Sequence, residues 1–396
     1  MNKKVVVVHP GLQHSHQLAL ALHEHGMLQK FISGVPVSSN NESLPFYIPN
    51  KLASRIKKVQ IPAELRQHPV WPQLFLRVMS HLPVANRKII GKDASSHRVF
   101  HWFDWYASKK IKKLRPDVVV AFENSAYQSF KAAKSIGAKC VLDAPSIHHS
   151  MANKLLGIQS IGFRKEIDRR KDLEVELADV ILTCSPIAAQ SYIDAGVSEQ
   201  KVRSMLLGAE LPKNMSVTWQ PHEKALRFVF AGALSERKSV GDILDACERL
   251  NQDKLPFSLS FVGGASPEYI SRIESIENCA YIGKVSQPEL YQIFSNSDCL
   301  LLPSKFDSFG MVVAEVMACG TPAIVSTMTG SKSIIEQFPG SGWIIEPDEK
   351  EIYNAMRFCI ENRSEVFNAR ESAKNASKMF TWSSYRNRIT NVIANL

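Results

Sequence analysis

Two acids, Asp307 and Glu315, lie in the stretch LLLPSKFDSFGMVVAEVMACGTPAIVS from Leu300 to Ser326. It reads as an apolar strand, a polar loop, a helix carrying one carboxylate, a Gly-Thr-Pro stop and a second apolar strand. Groups at the carboxyl end of such a strand face the edge where open parallel sheets bind ligands. The first turn of a helix leaves its N–H groups unpaired and carries positive dipole charge. The amides of Phe309, Gly310 and Met311 therefore suit phosphate or sugar oxygens, and Gly310 lets the backbone come close. A carboxylate at Glu315 can accept two hydrogen bonds from a ribose diol, while Asp307 sits where the sugar ring of a nucleotide sugar would lie. Asp307 or Ser308 equally suits a plain helix N-cap. Glu315, among Met311, Val312, Val313, Ala314, Val316 and Met317, needs a partner whatever its role.

Upstream, FVFAGALSERK from Phe228 to Lys238 reads as a buried strand, a glycine turn and an Arg-Lys pair ahead of a helical pattern from Asp242 to Leu250. Adjacent cations at a strand end suit a diphosphate, Arg237 as a fork and Lys238 as a point charge. Taken without context such a pair is a solvated surface feature. Phe261-Val262-Gly263-Gly264 and Tyr281-Ile282-Gly283-Lys284-Val285 read as two further strands with their turns.

These motifs resemble the retaining glycosyltransferases of family 4, which have the two-domain α/β fold called GT-B. Phe309-Gly310, Glu315, Met317-Ala318-Cys319-Gly320 and Thr321-Pro322 match the family's Glu, seven residues, Glu stretch, with Asp307 in place of its first Glu. Asp is about 1.5 Å shorter, so its contact to a donor sugar is altered or bridged by water. The resemblance implies a donor site made by Gly11, Gly232, Arg237, Lys238, Val285, Ser308, Phe309, Gly310, Met311 and Glu315, with Val285 beside the nucleobase. It gives catalytic roles to Asp307, His148 and Glu315. Lys238 keeps the family's lysine position relative to Gly232, whereas Ala233 replaces an arginine that Arg237 would have to supply.

The N-terminal half repeats the architecture. Val5 to Val8 is the signature of a strand buried on both faces, ending at His9-Pro10-Gly11. Gly11 is either a plain turn glycine or the place where the first loop nears donor phosphates. His14 and His16 open an amphipathic helix as cap or surface residues, with His14 also an acceptor-site candidate. Strands follow at Asp117–Phe122 and Lys139–Leu142. His148, with His149 as fallback, is the histidine that the resemblance places at the sugar, against the plainer reading of a histidine bonded within its own loop. Glu123, Asn124 and His149 are candidates for binding the acceptor. Glu166 to Ala178 is a charge run expected to be a solvated face.

At 396 residues, 45% of them hydrophobic, the chain suits two α/β domains. The divisions read from the pattern are 1–207, a linker at 208–224, a nucleotide-sugar domain at 225–377, and a helix at 378–396 crossing back to the first domain, the two domains facing across a cleft that closes on the donor. Seven scattered cysteines read as reduced core residues of a cytoplasmic protein. No signal-peptide or membrane-span pattern is present in the sequence. The net charge of +10 is concentrated: residues 51–115 hold fifteen basic and three acidic residues, or +12. Within that window PVWPQLFLRVMSHLP, residues 69–83, is apolar and aromatic, which suits an anionic membrane surface and a peripheral location on its inner face. Nucleic acid is disfavoured because VFHWFDWY, residues 99–106, has aromatic spacings suited to helix packing.

The resulting expectation is a metal-independent retaining transferase, without a cofactor, moving a hexosyl or N-acetylhexosaminyl group from a UDP- or GDP-sugar to a glycan or lipid-linked acceptor. Its setting would be cell-surface polysaccharide, lipopolysaccharide or glycolipid synthesis. The alternatives are a nucleotide-sugar epimerase or hydrolase on the same fold, and a non-catalytic partner subunit of a transferase complex.

Overall fold

A computed structural model describes residues 3–39, 56–69, 92–210 and 224–396. Most of the apolar segment at 69–83 and the proline-bearing passage at 212–223 lie outside these residues. Two compact units form. One comprises Met1–Thr183, Ala189–Met205 and Arg386–Leu396, and the other Cys184–Ala188 and Leu206–Tyr385.

The first unit holds β1 (Val5–His9), β2 (Leu28–Ser33), β3 (Val37–Ser38), β4 (Lys57–Lys58), β5 (Arg66–Gln67), β6 (Val118–Phe122), β7 (Lys139–Asp143), β8 (Val180–Thr183) and β9 (Val202–Ser204). Seven of them make one parallel sheet in the order β5-β2-β1-β6-β7-β8-β9, while β3 and β4 pair separately. The valine run is the reason β1 is central. Val5, Val6 and Val7 pair with Val118, Val119 and Val120, and all six are buried. β-branched side chains on both faces suit a strand covered by helices on both sides.

The second unit holds β10 (Leu226–Ala231), β11 (Phe257–Val262), β12 (Cys279–Gly283), β13 (Cys299–Leu302), β14 (Ala323–Ser326) and β15 (Gly342–Ile345). Its parallel sheet runs β12-β11-β10-β13-β14-β15. In this order the chain first builds outward from β10 and then restarts on its other side, so a topological switch point falls between β10 and β13. The turns after β10 and β11 pack closely: a Cβ on Gly263 would lie 1.8 Å from the Gly232 carbonyl oxygen. Only glycine fits there.

Three expectations are corrected. The helix after β10 spans Val240–Gln252 and begins earlier than Asp242, because a 3₁₀ turn at Glu236–Lys238 and a left-handed Ser239 (φ 55°) deliver the chain to it. The charge run lies on helix Phe163–Leu177, but Asp168 and Glu174 are buried. The inner face of that helix is held by ion pairs, which periodicity of apolar residues does not reveal. In helix Lys92–Leu114, Val99 and Phe103 join the core whereas Trp102 and Trp105 are exposed.

Helix Trp382–Ala394 closes the chain, and its residues from Arg386 onward belong to the first unit. There Arg386 donates to Glu24 (2.9 Å) and Gln17 (3.0 Å). All seven cysteines are free. Among the described residues no helix is long and apolar enough to cross a membrane.

Candidate functional site

In the second unit Lys238, Asp307 and Arg237 meet at the switch point. Lys238, in the 3₁₀ turn after β10, and Asp307, in the loop after β13, form a direct ion pair with both side chains largely buried. Asp307 is fixed through its backbone. Its N–H donates to the Met328 carbonyl (3.1 Å), and its own carbonyl accepts from Gly330 N–H (2.8 Å). Asp307 Oδ1 also accepts from Phe309 N–H at 3.3 Å. The N-cap of helix Met311–Ala318 is Gly310, in a left-handed conformation (φ 81°) that glycine adopts without strain. Neither Asp307 nor Ser308 is the helix cap, so the carboxylate is left to Lys238 and the loop.

Arg237 donates from Nη1 to the Phe306 carbonyl at 2.7 Å, bracing the loop that carries Asp307. Glu315 finds its required partner in a hydrogen bond with Gln287. Burial pushes its carboxyl up to about 7, against that hydrogen bond and with the charge of Glu210 adding to the rise. A carboxyl so placed changes charge near neutral pH. Val285, half-buried after β12, packs against the core of this unit. Gly232 (φ 148°) ends β10 beside Lys238.

In the first unit the carboxyl ends of β1, β6 and β7 gather the remaining candidates. Gly11 N–H donates to His9 Nδ1 at 2.9 Å, and a Cβ on Gly11 would make only ordinary contact, 3.5 Å from the His9 ring. Packing therefore does not demand glycine at this position. His9 lies 4.0 Å from Phe122, ring to ring, and burial drives it to a pKa of about 3. His14 and His16 are both buried, which overturns the surface reading, while His14 stands at the N-cap position of helix Ser15–Glu24 without a side-chain cap bond. His14 Nε2 lies 2.9 Å from Asp143 Oδ2, a partner contributed by the end of β7. Burial lowers His16 to about 4.

Glu123 is buried, accepts from Ser146 Oγ (2.7 Å) and pairs with Lys171 (2.8 Å). Burial raises its pKa, but the lysine charge and these hydrogen bonds outweigh that and hold it below the usual carboxylate range. Asn124 is left-handed (φ 70°), and its N–H donates to Glu174 at 2.8 Å. Glu174 also accepts from Ala126 (2.9 Å) and Tyr127 (3.2 Å). Asp104 accepts the next two N–H groups, from Gln128 (2.7 Å) and Ser129 (2.8 Å). Five amides at the start of helix Tyr127–Lys134 are thus taken by two buried carboxylates, with Arg170 ion-paired to both.

His148 caps helix His149–Leu155 through Nδ1, which accepts from Ser150 N–H at 3.3 Å and lies 2.7 Å from Ser150 Oγ. This is the loop-bonded arrangement weighed from the sequence, yet only Nδ1 is occupied in it. Burial lowers His148 to about 4, so the ring is neutral at pH 7. With Nδ1 accepting, the proton sits on Nε2, 3.8 Å from Asp172. His149 Nε2 lies 2.6 Å from Asp172 Oδ1. Ligand atoms of His148, His149 and Asp172 approach closely enough to hold a metal ion, which would require the other His148 tautomer, its Nδ1–H donating to Ser150 Oγ. Gln287, Asp143 and the Asp104–Arg170–Glu174 cluster went unnoticed in the sequence. Their partners are far along the chain and no spacing announces them.

Residues 213–379 match the model of the family described as glycosyl transferases group 1. The glycogen synthase of Mycobacterium tuberculosis is 23% identical over 239 residues, covering 57% of this chain and 56% of that protein. The chain spans about half the length of the curated relatives it matches. Among solved structures, the lipopolysaccharide outer core galactosyltransferase WaaB in its apo form aligns with a TM-score of 0.62 at 16% identity, covering 99% of this chain and all of that one. The Anabaena protein HepE in complex with UDP aligns with a TM-score of 0.65 at 14% identity and the same coverage. At such identities the structural likeness shows the fold, which is GT-B. The family match covers less than half of the chain and falls mainly on the second unit.

Proposed function

We propose that the protein is a retaining glycosyltransferase of family 4 that uses a UDP- or GDP-sugar and delivers the sugar to a glycan or lipid-linked saccharide in cell-surface polysaccharide or lipopolysaccharide synthesis. The observation that carries this reading is the Lys238–Asp307 pair at the switch point of the second sheet. A diphosphate would draw Lys238 to itself, and Asp307 would then be available to sugar hydroxyls. The amides of Gly310 and Met311 add donors without reorganisation. Glu315, once ionised, accepts from the ribose diol.

As the glycosidic bond to the diphosphate breaks, negative charge grows on the leaving oxygens. Lys238, Arg237 and the helix-end amides supply the compensating field, so these residues suffice without a metal. In the first unit we assign Glu123, Asn124, His14 and His149 to acceptor recognition, and His148 Nε2–H to a sugar hydroxyl. For retention we favour attack from the face that the phosphate leaves, with the departing phosphate taking the acceptor proton. A double displacement would need a carboxylate nucleophile about 5 Å from its partner acid, and no residue is assigned to that role. The test is the anomeric configuration of the product, read by NMR after transfer. Retention is expected, and an inverted linkage would remove the family 4 reading. Conversion of the donor with no acceptor present would favour the epimerase or hydrolase alternative instead.

A further inference from the structure

The segment joining helices His149–Leu155 and Phe163–Leu177 in the first unit is built inside out. Ser160 from the segment, with Asn153 and Arg164 from the helices on either side, converges on Asp168, which is only 4% exposed. Asp168 Oδ2 accepts from Asn153 (2.8 Å) and Ser160 (2.7 Å), Arg164 Nε lies 3.3 Å from Oδ1, and Arg164 also donates to Asn153 (2.8 Å). Left-handed Gly157 and Gly162 and a bond from Ile158 N–H to the Asn153 carbonyl (2.8 Å) set its course.

Its apolar side chains face solvent instead. Leu155 is 43% exposed, Leu156 48%, Ile158 37%, Ile161 68% and Phe163 36%. Twelve large apolar side chains are exposed among the described residues, and five of them fall within these nine positions. Single exposed apolar residues are ordinary, whereas a fixed cluster of them marks an interaction surface. Lys154, Arg164 and Lys165 border the cluster and no acid lies between residues 154 and 165. A partner must therefore be apolar at its centre and anionic at its rim. A second copy of the chain would set one basic rim against another.

We infer that the loop 155–163 inserts into the surface of an anionic lipid bilayer, as a membrane contact separate from the basic segment at 51–115. The arrangement matches that of interfacial anchors, apolar side chains in the acyl boundary and cations at the headgroups. The seven-residue helix His149–Leu155 spans about 10 Å, so the loop would hold a lipid surface near His148. This consequence rests on the transferase reading and favours a lipid-linked acceptor over a soluble glycan. The membrane contact itself does not depend on it.

The test is co-sedimentation of the full chain with vesicles of phosphatidylcholine containing roughly one-third phosphatidylglycerol, with neither donor nor acceptor present. Wild type is expected to bind, less so at high salt. The double variant Leu156→Ser, Ile161→Ser is expected to lose at least about tenfold in partitioning with an unchanged melting temperature, since both side chains are already exposed. Equal binding by the variant, or no binding by wild type, would overturn the inference. So would a wild-type dimer that the variant dissociates, which would make a second copy the occupant. Nucleotide binding is measured separately, so failure of the transferase reading and failure of the lipid contact are distinguishable.

Discussion

Glu315 is a residue whose charge state is set by its burial. Its carboxyl is pushed up to about 7, so the folded protein holds this proton more tightly than the unfolded chain. The associated stability is present below about pH 4.5 and is lost as pH rises to about 7. Ribose binding, as proposed for Glu315, would have the opposite sense, because only the ionised form accepts both diol hydrogens. Affinity for the donor nucleotide is therefore expected to rise up to about tenfold per pH unit below 7 and to level off above it, and Glu315→Gln should flatten the profile. Calorimetric titration between pH 5.5 and 8.5 checks this; a wild-type profile as flat as the variant's would contradict it.

Gly11 gives a complementary case. A Cβ fits there at ordinary contact distance, so Gly11→Ala is expected to leave the melting temperature unchanged. If the loop approaches a ligand, the same variant should lose at least about tenfold in kcat/KM. At this scale the sequence disclosed that Glu315 needs a partner, because a carboxylate among valines and methionines has few other options. It did not disclose Gln287, which reaches the site from another helix.

At the scale of elements, the strongest construction is the start of helix Tyr127–Lys134, where Glu174 and Asp104 take five N–H groups around Arg170. Removing the guanidinium would leave the fully buried Asp104 without its direct ion pair, beside Glu174. Arg170→Ala is expected to cost about 3–5 kcal/mol, read by urea denaturation, and a loss within measurement error would contradict the network. Burial raises Glu174 to about 8 against the amides of Ala126 and Asn124 and the charge of Arg170, and the charge of Asp104 adds to the rise. Its contribution is therefore lost as pH climbs through 8. Glu174→Gln, uncharged like the carboxyl it replaces below pH 8, is expected to lose less stability than wild type between pH 6 and 9, read by urea denaturation at each pH. None of this was legible in the charge run from Glu166 to Ala178, since a charged face looks the same in sequence whether it meets water or buried partners.

Over the whole molecule, the strands were legible because parallel strands covered on both sides must be apolar throughout, as in Val5–Val8, Val118–Phe122 and Cys299–Leu302. The switch point between β10 and β13 follows from strand order, which no local pattern encodes, although the motifs already marked both of its banks. The family resemblance supplied what residue chemistry alone left open, namely that Lys238 and Asp307 serve one donor; their direct pairing emerges only in the structure. It is silent on which base, which sugar and which acceptor, because the nucleobase contacts it implies near Val285 would run through backbone. Membrane contact is similar: the basic count over 51–115 pointed to a lipid surface, while the exposed apolar loop at 155–163 emerges only once Asp168 is seen to gather its polar residues.

The most direct test of nucleotide-sugar binding by the second unit is isothermal titration of the full chain with UDP, GDP, ADP and their common sugars, comparing wild type with Lys238→Ala. One nucleotide family is expected to bind wild type saturably, stabilising it by about 2.7 kcal/mol at a hundredfold excess over Kd, and to bind Lys238→Ala at least about tenfold more weakly. Heats indistinguishable from buffer for every nucleotide, or equal affinity in the lysine variant, would contradict the assignment of the donor site.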